Sequence, residues 1–438
     1  MTRHVVVVGA GPAGLAAAEH ALRAGADVTV LDQADTPGGQ YYRTLPEEYG
    51  AMRPHRAFDR KHRVLTHPRC TWWPNTTVWA IDGLQVHVLR GPVDGSGRQR
   101  HTLEPDALVL ATGAHDRTLP FPGWQLPGVY TAGAAQALAK GERVAVGRRV
   151  LVAGAGPFLL PVAESLLGVG AEVVAVLEAN PAATVLRGWS KRPWQVRKTG
   201  ELARYAVALA RHRVPYHFGR TVIEVKDNQV VTAKLGTDWS VVTGTERVYE
   251  VDAVCVSHGF VPQPELAVAV GCELDDGFVK VDQSQRTTVT SVYAAGEITG
   301  IGGADAAEAE GVIAGISAAG ATPTRVQVRS RDRARAFAGR LAEAHPIGAA
   351  WPGWLREDTI ICRCEETTYG ELVKAVHDPA SPGPHALKLG TRAGLGPCQG
   401  RMCGPTVSAL CGGTERHHRP IAQPIRLGEL ADVKETPA

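Results

Sequence analysis

Four cysteines near the C-terminus are spaced as ligands of a metal centre. Cys362 and Cys364 form a C-x-C pair, and Cys398 and Cys403 form a C-x4-C pair after 33 intervening residues. Four thiolates can hold a zinc ion or a [2Fe–2S] cluster. The C-x-C pair would need a strained loop to bind one tetrahedral metal and suits two irons better. The pattern therefore favours an iron–sulfur centre over structural zinc or free thiols, with cluster sulfides facing backbone N–H groups freed by Gly394, Gly396, Gly400 and Gly404.

A glycine-rich turn near the N-terminus has the pattern of a dinucleotide site. The valine run Val5–Val8 predicts a buried strand, and Gly9, Gly11 and Gly14 follow it. In this pattern Gly9 permits a tight turn, Gly11 lets the backbone approach a pyrophosphate, and Gly14 lets the next helix pack closely. The second strand ends at Asp32, whose carboxylate can accept ribose hydroxyl groups.

A second copy of the pattern begins at Gly154 and continues with Gly156. Its terminal acid is Glu178, 24 residues after the first glycine, against 23 in the first copy, which indicates an internal duplication. Leu159 stands where the first copy has Gly14, and we expect it to push the helix from the strand and constrict the pyrophosphate position. The second site could bind NAD or another nucleotide, or be degenerate. Glu178 would repel a 2′-phosphate and so disfavours NADP.

Later elements can bring further groups to the first glycine turn. A buried strand ends in the small-residue turn Ala111–Gly113, and a strand from Thr287 ends at Gly296 and Glu297. An acid at that position can accept hydroxyl groups of a ribityl chain. The helix that begins near Gly302 directs a positive N-terminal end toward an electron-rich ring edge.

These elements predict an α/β protein with two Rossmann-like domains and a small cysteine-rich domain. We expect a discontinuous first domain at 1–120 and 275–322, a second at 121–274, a helix and linker at 323–357, the cysteine domain at 358–412, and a tail at 413–438. The segment Trp351–Trp354 is predicted as part of the linker.

The composition is that of a globular protein, with 438 residues, 44% hydrophobic and 21% charged. The net charge of +3 is too small to argue for nucleic acid as a partner. The sequence has no run of about 18 apolar residues, so we expect no membrane span. The cysteines are not spaced as a disulfide framework, which points to a reducing compartment and a cytoplasmic location.

The motifs resemble those of a known group of flavoproteins. Gly9–Gly14, Asp32, Ala111–Gly113 and Thr287–Glu297 are similar to motifs of two-domain flavoproteins of the glutathione reductase type, which bind FAD at the first site. The cysteine quartet resembles a BFD-like (bacterioferritin-associated-ferredoxin) [2Fe–2S] domain.

A narrower resemblance covers almost the whole chain. The segments Ala111–Ala114, Leu119–Trp124 and Gly394–Arg401 are similar to those of the α (A) subunits of heteromeric amine and amino-acid dehydrogenases. This family includes opine oxidase, hydrogen cyanide synthase, D-hydroxyproline dehydrogenase and dye-linked L-proline dehydrogenase.

The resemblance implies which residues hold each cofactor. A [2Fe–2S] cluster would be bound by the cysteine quartet, and NAD, or ATP as in related subunits, by Gly154, Gly156 and Glu178. Glu297 stands where broader flavoproteins carry Asp, and its extra methylene should shift the hydrogen bond only slightly. FAD would be bound by Gly9, Gly11, Pro12, Ala13, Gly14, Asp32, Gln33, Gly39, Gln40, Val78, Ala111, Thr112, Gly113, Gly296, Glu297 and Ala304.

The resemblance also implies a function that depends on other subunits. The amine would be oxidised on an amine-oxidase-like FAD β subunit. A small ferredoxin-like subunit could replace the N-terminal extension of the larger sarcosine oxidase α chains, which this sequence lacks. The alternative is a self-sufficient NADH-dependent flavoprotein reductase that passes electrons from FAD to its own cluster. His115 and His258 could face a cofactor or be structural, and no residue can be named as a catalytic acid, base or nucleophile.

Overall fold

The computed structural model describes residues 2–43, 62–190, 196–378, 383–412 and 421–431. The strands are β1 His4–Val8, β2 Asp27–Leu31, β3 Cys70–Trp73, β4 Thr76–Asp82, β5 Gln85–Arg90, β6 Gln99–Leu103, β7 Ala107–Leu110, β8 Ala114–Asp116, β9 Val129–Thr131, β10 Arg149–Gly154, β11 Glu172–Glu178, β12 Tyr216–Phe218, β13 Arg220–Lys226, β14 Gln229–Lys234, β15 Arg247–Glu250, β16 Ala253–Ser257, β17 Phe260–Pro262, β18 Leu274–Asp275, β19 Phe278–Val279, β20 Val292–Ala294, β21 Ile360–Cys362 and β22 Thr367–Thr368.

The helices alternate with these strands along most of the chain. They are α1 Pro12–Arg23, α2 Ala132–Gly141, α3 Leu159–Gly168, α4 Ala182–Ser190, α5 Val196–Arg211, α6 Glu265–Ala269, α7 Gly303–Ala318, α8 Arg325–Ala344, α9 Tyr369–Val376, α10 Gly383–Thr391, α11 Gly404–Cys411 and α12 Leu427–Ala431, with 3₁₀ turns at His62–Thr66 and Trp351–Trp354. Among the helices that the structure describes, none has the length and apolar character needed to cross a bilayer.

The described residues form two compact units, each drawn from separate parts of the chain. The first unit takes them from the ranges Met1–His115, Pro262–Gly339 and Arg416–Ala438, and the second from Asp116–Val261 and Arg340–Glu415.

The first unit is built on a five-stranded parallel sheet in the order β20-β7-β1-β2-β3. Its central strand β1 is buried on both faces. Val5 and Val7 pack in one hydrophobic cluster, and Val6 and Val8 pack in the other. The run of four valines suits this position because neither face of the strand meets water there. Strands β4, β5 and β6 form an antiparallel meander.

Helices α1 and α7 pack closely on each other behind the parallel sheet. A Cβ placed on Gly311 would lie 2.1 Å from the Ala13 carbonyl oxygen, and one on Gly315 would lie 2.1 Å from the Ala17 oxygen. The two helices therefore touch backbone to backbone. This contact needs the small residues of the predicted helix after Gly302, and that helix is confirmed as α7.

The second unit repeats the sheet of the first. Its five parallel strands have the order β12-β11-β10-β16-β9, so β10 takes the central place that β1 has in the first unit. The antiparallel sheet β13-β14-β15 accompanies it. The predicted duplication is confirmed at the level of strand order.

The cysteine-rich segment belongs to the second unit. The β21–β22 hairpin precedes α9, which begins with a capping box between Thr368 and Glu371. Helices α10 and α11 follow. Ile361, Leu372 and Leu387 form a small hydrophobic core with Cys362 and Cys403.

The unit boundaries differ from the predicted domain limits. Residues from Pro262 onward, including α6 and β18, pack in the first unit, although the prediction ends the second domain at 274. The predicted strand from Thr287 is also shorter, because Thr287 folds back as a turn, with its N–H donating to the Val292 carbonyl at 2.9 Å.

Two segments predicted as connections are packed against the units. Trp351 and Trp354, placed in a linker by sequence, are buried in a 3₁₀ turn. In the predicted tail, the Glu429 carboxylate forms two hydrogen bonds of 2.7 Å with the Arg98 guanidinium. Ile421 forms a β-bridge with Ala80. The described part of the tail is therefore held on the meander.

Candidate functional site

The first glycine turn has the close backbone contacts expected of a dinucleotide site. Gly9 has φ +104°, and a Cβ there would lie 2.3 Å from the Ala111 carbonyl oxygen. A Cβ on Gly14 would lie 1.7 Å from the Gly9 oxygen. Helix α1 starts at Pro12 directly after Gly11, so its free N–H groups face the turn. The position leaves no room for a side chain at Gly9 or Gly14.

Asp32 follows β2 and lies beside this turn. Its Oδ2 accepts the Ala10 N–H at 2.6 Å, and its Oδ1 accepts the Ala34 N–H at 2.9 Å. Burial raises the pKa of the Asp32 carboxyl, against these backbone hydrogen bonds. The residue as a whole is partly exposed, and its carboxylate could accept hydroxyl groups of a ribose.

Two loops form further parts of this site. Gly39 approaches the phosphate turn, since a Cβ there would lie 3.0 Å from the Gly11 Cα. Thr112 donates its hydroxyl to the Gln263 carbonyl at 2.6 Å, and Gly113 has φ +76°. The small-residue turn after β7 is thereby fixed within the first unit.

Glu297 lies at the start of α7. Its Oε1 accepts the Gly303 N–H at 2.7 Å. Burial raises the pKa of Glu297 to about 7, opposed by the N–H groups of Gly303 and Gly302 and assisted by the charge of Glu310. Glu297 and the start of α7 therefore lie together, with the carboxylate accepting the N–H groups at the helix start.

The loop that carries Glu297 is fixed by residues that the motif analysis missed. The buried Glu310 carboxylate accepts the Gly296 N–H at 2.8 Å and the Thr299 hydroxyl at 2.6 Å. Arg335 of α8 donates to the same carboxylate at 2.6 Å. No spacing rule marks these side chains, because they come from two separate helices.

The remaining predicted FAD residues take three kinds of position. Gln33 and Gln40 are exposed beside the turn, and Ala304 is buried in the first turn of α7. Val78 of β4 is 3% exposed and lies in the hydrophobic core of the first unit. Ala13 supports the packing of α7 on α1.

The second glycine turn departs from the first at the start of its helix. Helix α1 begins at Pro12, whereas α3 begins only at Leu159, two residues later in the motif. The Leu15 N–H closes an α-helical bond to the Gly11 oxygen at 2.9 Å, but the Leu159 N–H bonds the Gly156 oxygen at 3.3 Å in a 3₁₀ turn. Leu159 is fully buried. Its side chain is accommodated by this later helix start.

The terminal acid of the second copy is saturated by protein donors. Glu178 is 0% exposed. Its Oε1 accepts the backbone N–H of Asn180 at 3.0 Å and its side-chain amide at 2.9 Å. Its Oε2 accepts the Gly156 N–H at 2.9 Å and hydrogen-bonds with Nδ1 of His345 at 3.0 Å. Unlike Asp32, Glu178 has no exposed oxygen to offer a ribose.

The segment that carries His345 is packed into the second unit. A Cβ on Gly188 would lie 2.5 Å from the Ala344 Cα. Trp354 stacks on Trp239 at 5.8 Å between ring centroids and 9° between planes, and Trp239 donates to the Asn180 side-chain oxygen at 3.3 Å. Sequence reasoning missed this cluster because its members are far apart in the chain.

His258 is a structural residue of the second unit. Its Nδ1 accepts the Leu119 N–H at 3.3 Å. Burial and the charge of Arg117 lower the pKa of His258 to about 3. The imidazole is therefore neutral at physiological pH.

The four predicted metal ligands come together as two thiol pairs. Cys364 is in hydrogen-bond contact with Cys398, and Cys362 is in hydrogen-bond contact with Cys403. Charge interactions link the pairs. Among the described residues, no group of three or more Cys, His, Asp or Glu side chains is arranged to hold a metal ion. Four thiols are nevertheless the number of ligands that a [2Fe–2S] centre uses.

The glycines around the thiols allow the cysteine loops to approach each other closely. A Cβ on Gly396 would lie 2.2 Å from the Cys364 Cβ, and Gly394 and Gly400 approach each other with φ +84° and +80°. The Cys398 sulfur accepts backbone N–H groups of residues 400–402. This donor set fits the iron–sulfur prediction.

The segment that carries Cys362 and Cys364 contacts the Leu119–Gln125 segment of the second unit. Trp124 donates its indole N–H to the Ile360 carbonyl at 2.6 Å. Arg363, between the two cysteines, lies over the Trp124 ring at 5.2 Å and donates to the Gln125 carbonyl at 3.3 Å. The Leu119–Trp124 segment carried the resemblance, but its contact with the cysteine loop is visible only in the structure.

Two family models match the chain. Residues 3–311 match the pyridine nucleotide-disulphide oxidoreductase model, and residues 360–411 match the BFD-like [2Fe-2S] binding domain. These matches confirm the predicted fold class and the two predicted cofactors, FAD and a [2Fe–2S] cluster.

Individual relatives agree with these matches. The A subunit of opine oxidase from Agrobacterium tumefaciens (strain Ach5) is 32% identical over 475 residues, covering 99% of this chain and 92% of the relative. The HcnB subunit of hydrogen cyanide synthase from Pseudomonas aeruginosa is 31% identical, covering 95% and 94%. The predicted resemblance is confirmed.

Solved structures support the same fold. L-proline dehydrogenase from P. horikoshii aligns with a TM-score of 0.65 and 19% identity, covering 98% of this chain and 79% of that one. Thioredoxin reductase from T. acidophilum aligns with a TM-score of 0.52 and 25% identity, covering 73% and 98%.

Proposed function

The chain belongs to the pyridine nucleotide-disulphide oxidoreductase family, and we propose that it is the electron-transfer subunit of a heteromeric dehydrogenase. It is an FAD-dependent oxidoreductase with a C-terminal [2Fe–2S] domain. In the proposed complex, a partner flavoprotein subunit oxidises an amino acid, an imino acid or an opine-type secondary amine. The nearly full-length similarity to subunits of opine oxidase and hydrogen cyanide synthase supports a role inside an assembly.

The residues of the chain would perform binding and positioning. Gly9, Gly11 and Gly14 leave room for the FAD pyrophosphate, Asp32 would accept ribose hydroxyls, and Glu297 those of the ribityl chain. The four thiols would hold the cluster. Together the two groups supply a relay between two-electron and one-electron transfer. Such a relay needs fixed positions more than proton transfer, consistent with the absence of any assigned catalytic acid or base.

The observation that carries the proposal is the saturation of Glu178. Four contacts, one of them from His345, satisfy its two oxygens inside the protein. The later start of α3 replaces the helical turn that faces the pyrophosphate in the first copy. A second site with these features is poorly suited to NADH, which supports a supply of electrons to FAD from another subunit.

The alternative function is a self-sufficient NADH-dependent reductase. The second sheet, the glycines of its turn and the acid at the expected spacing favour this interpretation. It requires Glu178 to exchange His345 or Asn180 for a ribose. We propose the partner-dependent role as the better explanation, because that exchange would leave a buried polar group unpaired.

The proposed partners are an amine-oxidase-like FAD β subunit and a small ferredoxin-like subunit. The subunit names of the relatives support partners in general. None of the eight cysteines forms a disulfide, which is consistent with the expected cytoplasmic location.

The test compares the purified chain with its complex. We expect the chain alone to contain FAD and iron, to show no amine-dependent dye reduction, and to keep its flavin oxidised in stopped-flow mixing with NADH. Amine-dependent activity of the chain alone would contradict the partner-dependent role. Rapid flavin bleaching by NADH would favour the reductase.

The duplicated motif offers a matched pair of variants. We expect Asp32→Asn to weaken FAD binding, because its carboxylate would accept the ribose hydroxyls. We expect Glu178→Gln to leave FAD content and amine-dependent activity of the complex unchanged. A parallel loss in both variants would contradict the assignment of different roles to the two copies.

A further inference from the structure

One side chain of helix α8 contacts two buried polar residues of the first unit. Arg335 donates from Nε to the Glu310 carboxylate at 2.6 Å and from Nη2 to the Gln285 side-chain oxygen at 2.7 Å. The Arg335 side chain is 36% exposed, whereas Glu310 is 3% exposed and Gln285 is fully buried. A single guanidinium therefore joins two separate segments of this unit.

The Glu310 contact reaches the turn that carries Glu297. Through its other oxygen, Oε2, the Glu310 carboxylate accepts the Gly296 N–H at 2.8 Å and the Thr299 hydroxyl at 2.6 Å. The Thr299 N–H closes this Gly296–Thr299 turn on the Gly296 carbonyl at 2.8 Å. The turn is therefore held on both sides of Glu297 by one carboxylate, and Arg335 balances the charge of that carboxylate.

The Gln285 contact holds the strand that leads into the turn. Gln285 has φ +59°, and its side-chain amide donates to the Ala294 carbonyl at 2.8 Å. The Gln285 carbonyl accepts the Ala294 N–H at 3.0 Å. Since Ala294 is the last residue of β20, Arg335 contacts the residues that hold both the strand end and the turn.

The Gly296–Thr299 turn belongs to the predicted FAD site. Gly296 has φ +84°, and a Cβ there would lie 2.9 Å from the Ala13 Cβ in the first turn of α1. Glu297, which is predicted to accept ribityl hydroxyl groups, lies inside the turn. A binding group has to be held within about 0.5 Å of its productive position. The position of this turn therefore affects how well the chain can bind FAD.

We propose that Arg335 is a positioning residue for FAD, which acts on the Gly296–Thr299 turn through the charge of Glu310. Loss of the guanidinium leaves a buried carboxylate without a counter-charge. Such a carboxylate binds a proton or draws in water. Either change competes with the Gly296 N–H and the Thr299 hydroxyl for the carboxylate, so the turn moves from its position.

Helix α8 provides a matched control one helical turn earlier. Arg331 is 3% exposed and donates to the Gln283 carbonyl at 2.5 Å and to the Asp332 carboxylate at 2.7 Å. Its contact with Gln283 ties α8 to the segment that also carries Gln285. Replacement of Arg331 therefore tests the docking of α8, whereas replacement of Arg335 also tests the link to Glu310.

The test is a double-mutant cycle in which FAD affinity is measured. The full-length chain is stripped of FAD and titrated with FAD, and flavin fluorescence gives the dissociation constant. The cycle uses Arg335→Gln, Glu310→Gln and their combination, with Arg331→Gln as the control. Urea unfolding of each stripped protein separates a loss of affinity from a loss of stability.

We expect Arg335→Gln to weaken FAD binding about tenfold in the wild-type background. In the Glu310→Gln background the same change should weaken it less than about threefold, because the amide has no charge to balance. Arg331→Gln should lower the unfolding free energy and change FAD affinity less than about threefold. A loss below about threefold for Arg335→Gln in the wild-type background, a loss above it in the Glu310→Gln background, or an equal loss for Arg331→Gln would overturn the proposal.

Two further variants cover the case in which Arg335→Gln does not fold. Arg335→Lys keeps a positive charge for Glu310 and should bind FAD within about threefold of the wild type. Glu310→Asp keeps both charges but withdraws the carboxylate from the turn, and should weaken binding by more than this factor. Wild-type affinity in Glu310→Asp, or a greater than about threefold loss in Arg335→Lys, would overturn the proposal. Because the titration contains no amine, NADH or partner, its result does not depend on whether the chain acts inside a dehydrogenase.

Discussion

Replacement of Glu297 by Gln should remove a pH-dependent loss of stability from the FAD-free protein. The carboxyl is largely buried at the start of α7, and burial raises its pKa from the ordinary 4.5 to about 7. A folded-state pKa above the unfolded value means that the folded protein binds the proton more tightly. The resulting stabilisation is complete below pH 4.5 and is lost as pH rises through 7.

The size of the effect follows from the gap between the two pKa values. At 1.36 kcal/mol for each pKa unit, the gap between 4.5 and about 7 corresponds to about 3 kcal/mol. Glutamine cannot ionise, so Glu297→Gln does not share this pH-dependent loss. As pH rises from about 4.5 to about 8, the unfolding free energy of the wild type should fall by this amount relative to that of the variant.

The assay is urea unfolding of both proteins after removal of FAD, at a series of pH values, followed by fluorescence. Glu172→Gln provides a control, because the Glu172 side chain is 64% exposed. Adding FAD should flatten the wild-type profile, since hydroxyl groups that donate to the carboxylate favour its ionised form. A constant difference between Glu297→Gln and wild type across this range would refute the reasoning.

Three further substitutions test other parts of the structure. Gly14→Ala should abolish FAD retention measured by absorbance, because its Cβ would lie 1.7 Å from a backbone oxygen. The control variant Gly168→Ala should retain FAD, because a Cβ there meets nothing within 4 Å. Equal FAD content in Gly14→Ala and Gly168→Ala would contradict the packing argument. Trp124→Phe loses the 2.6 Å hydrogen bond to the Ile360 carbonyl and should speed the thermal loss of the cluster's visible absorbance, while an unchanged rate would exclude an anchoring role. Glu429→Gln breaks the ion pair between Glu429, whose side chain is 10% exposed, and Arg98, whose side chain is 4% exposed. The free energy of unfolding in urea should fall by about 3 kcal/mol. A fall of less than about 1 kcal/mol would mean that water solvates the pair.

Features that depend on neighbouring residues were predictable from the sequence alone. The valines of β1, the glycines after them and the acid at Asp32 define a local turn whose backbone geometry allows few other residue types. The cysteine quartet was also visible, because a four-ligand centre needs specific side chains at short spacings. The repetition of this design at β10 was also visible in the sequence, and the strand order of the second sheet repeats that of the first.

Contacts between distant segments determine whether each predicted group is free to bind. Asp32 and Glu178 are equivalent in the sequence pattern. In the structure, however, Glu178 is fully buried and hydrogen-bonds with His345, 167 residues away in the chain. The unequal exposure of the cysteine pairs likewise depends on which side of the small core each thiol meets. Local spacing specifies which chemical groups are present. The folded chain, through contacts that no periodicity records, leaves only some of those groups available to a cofactor.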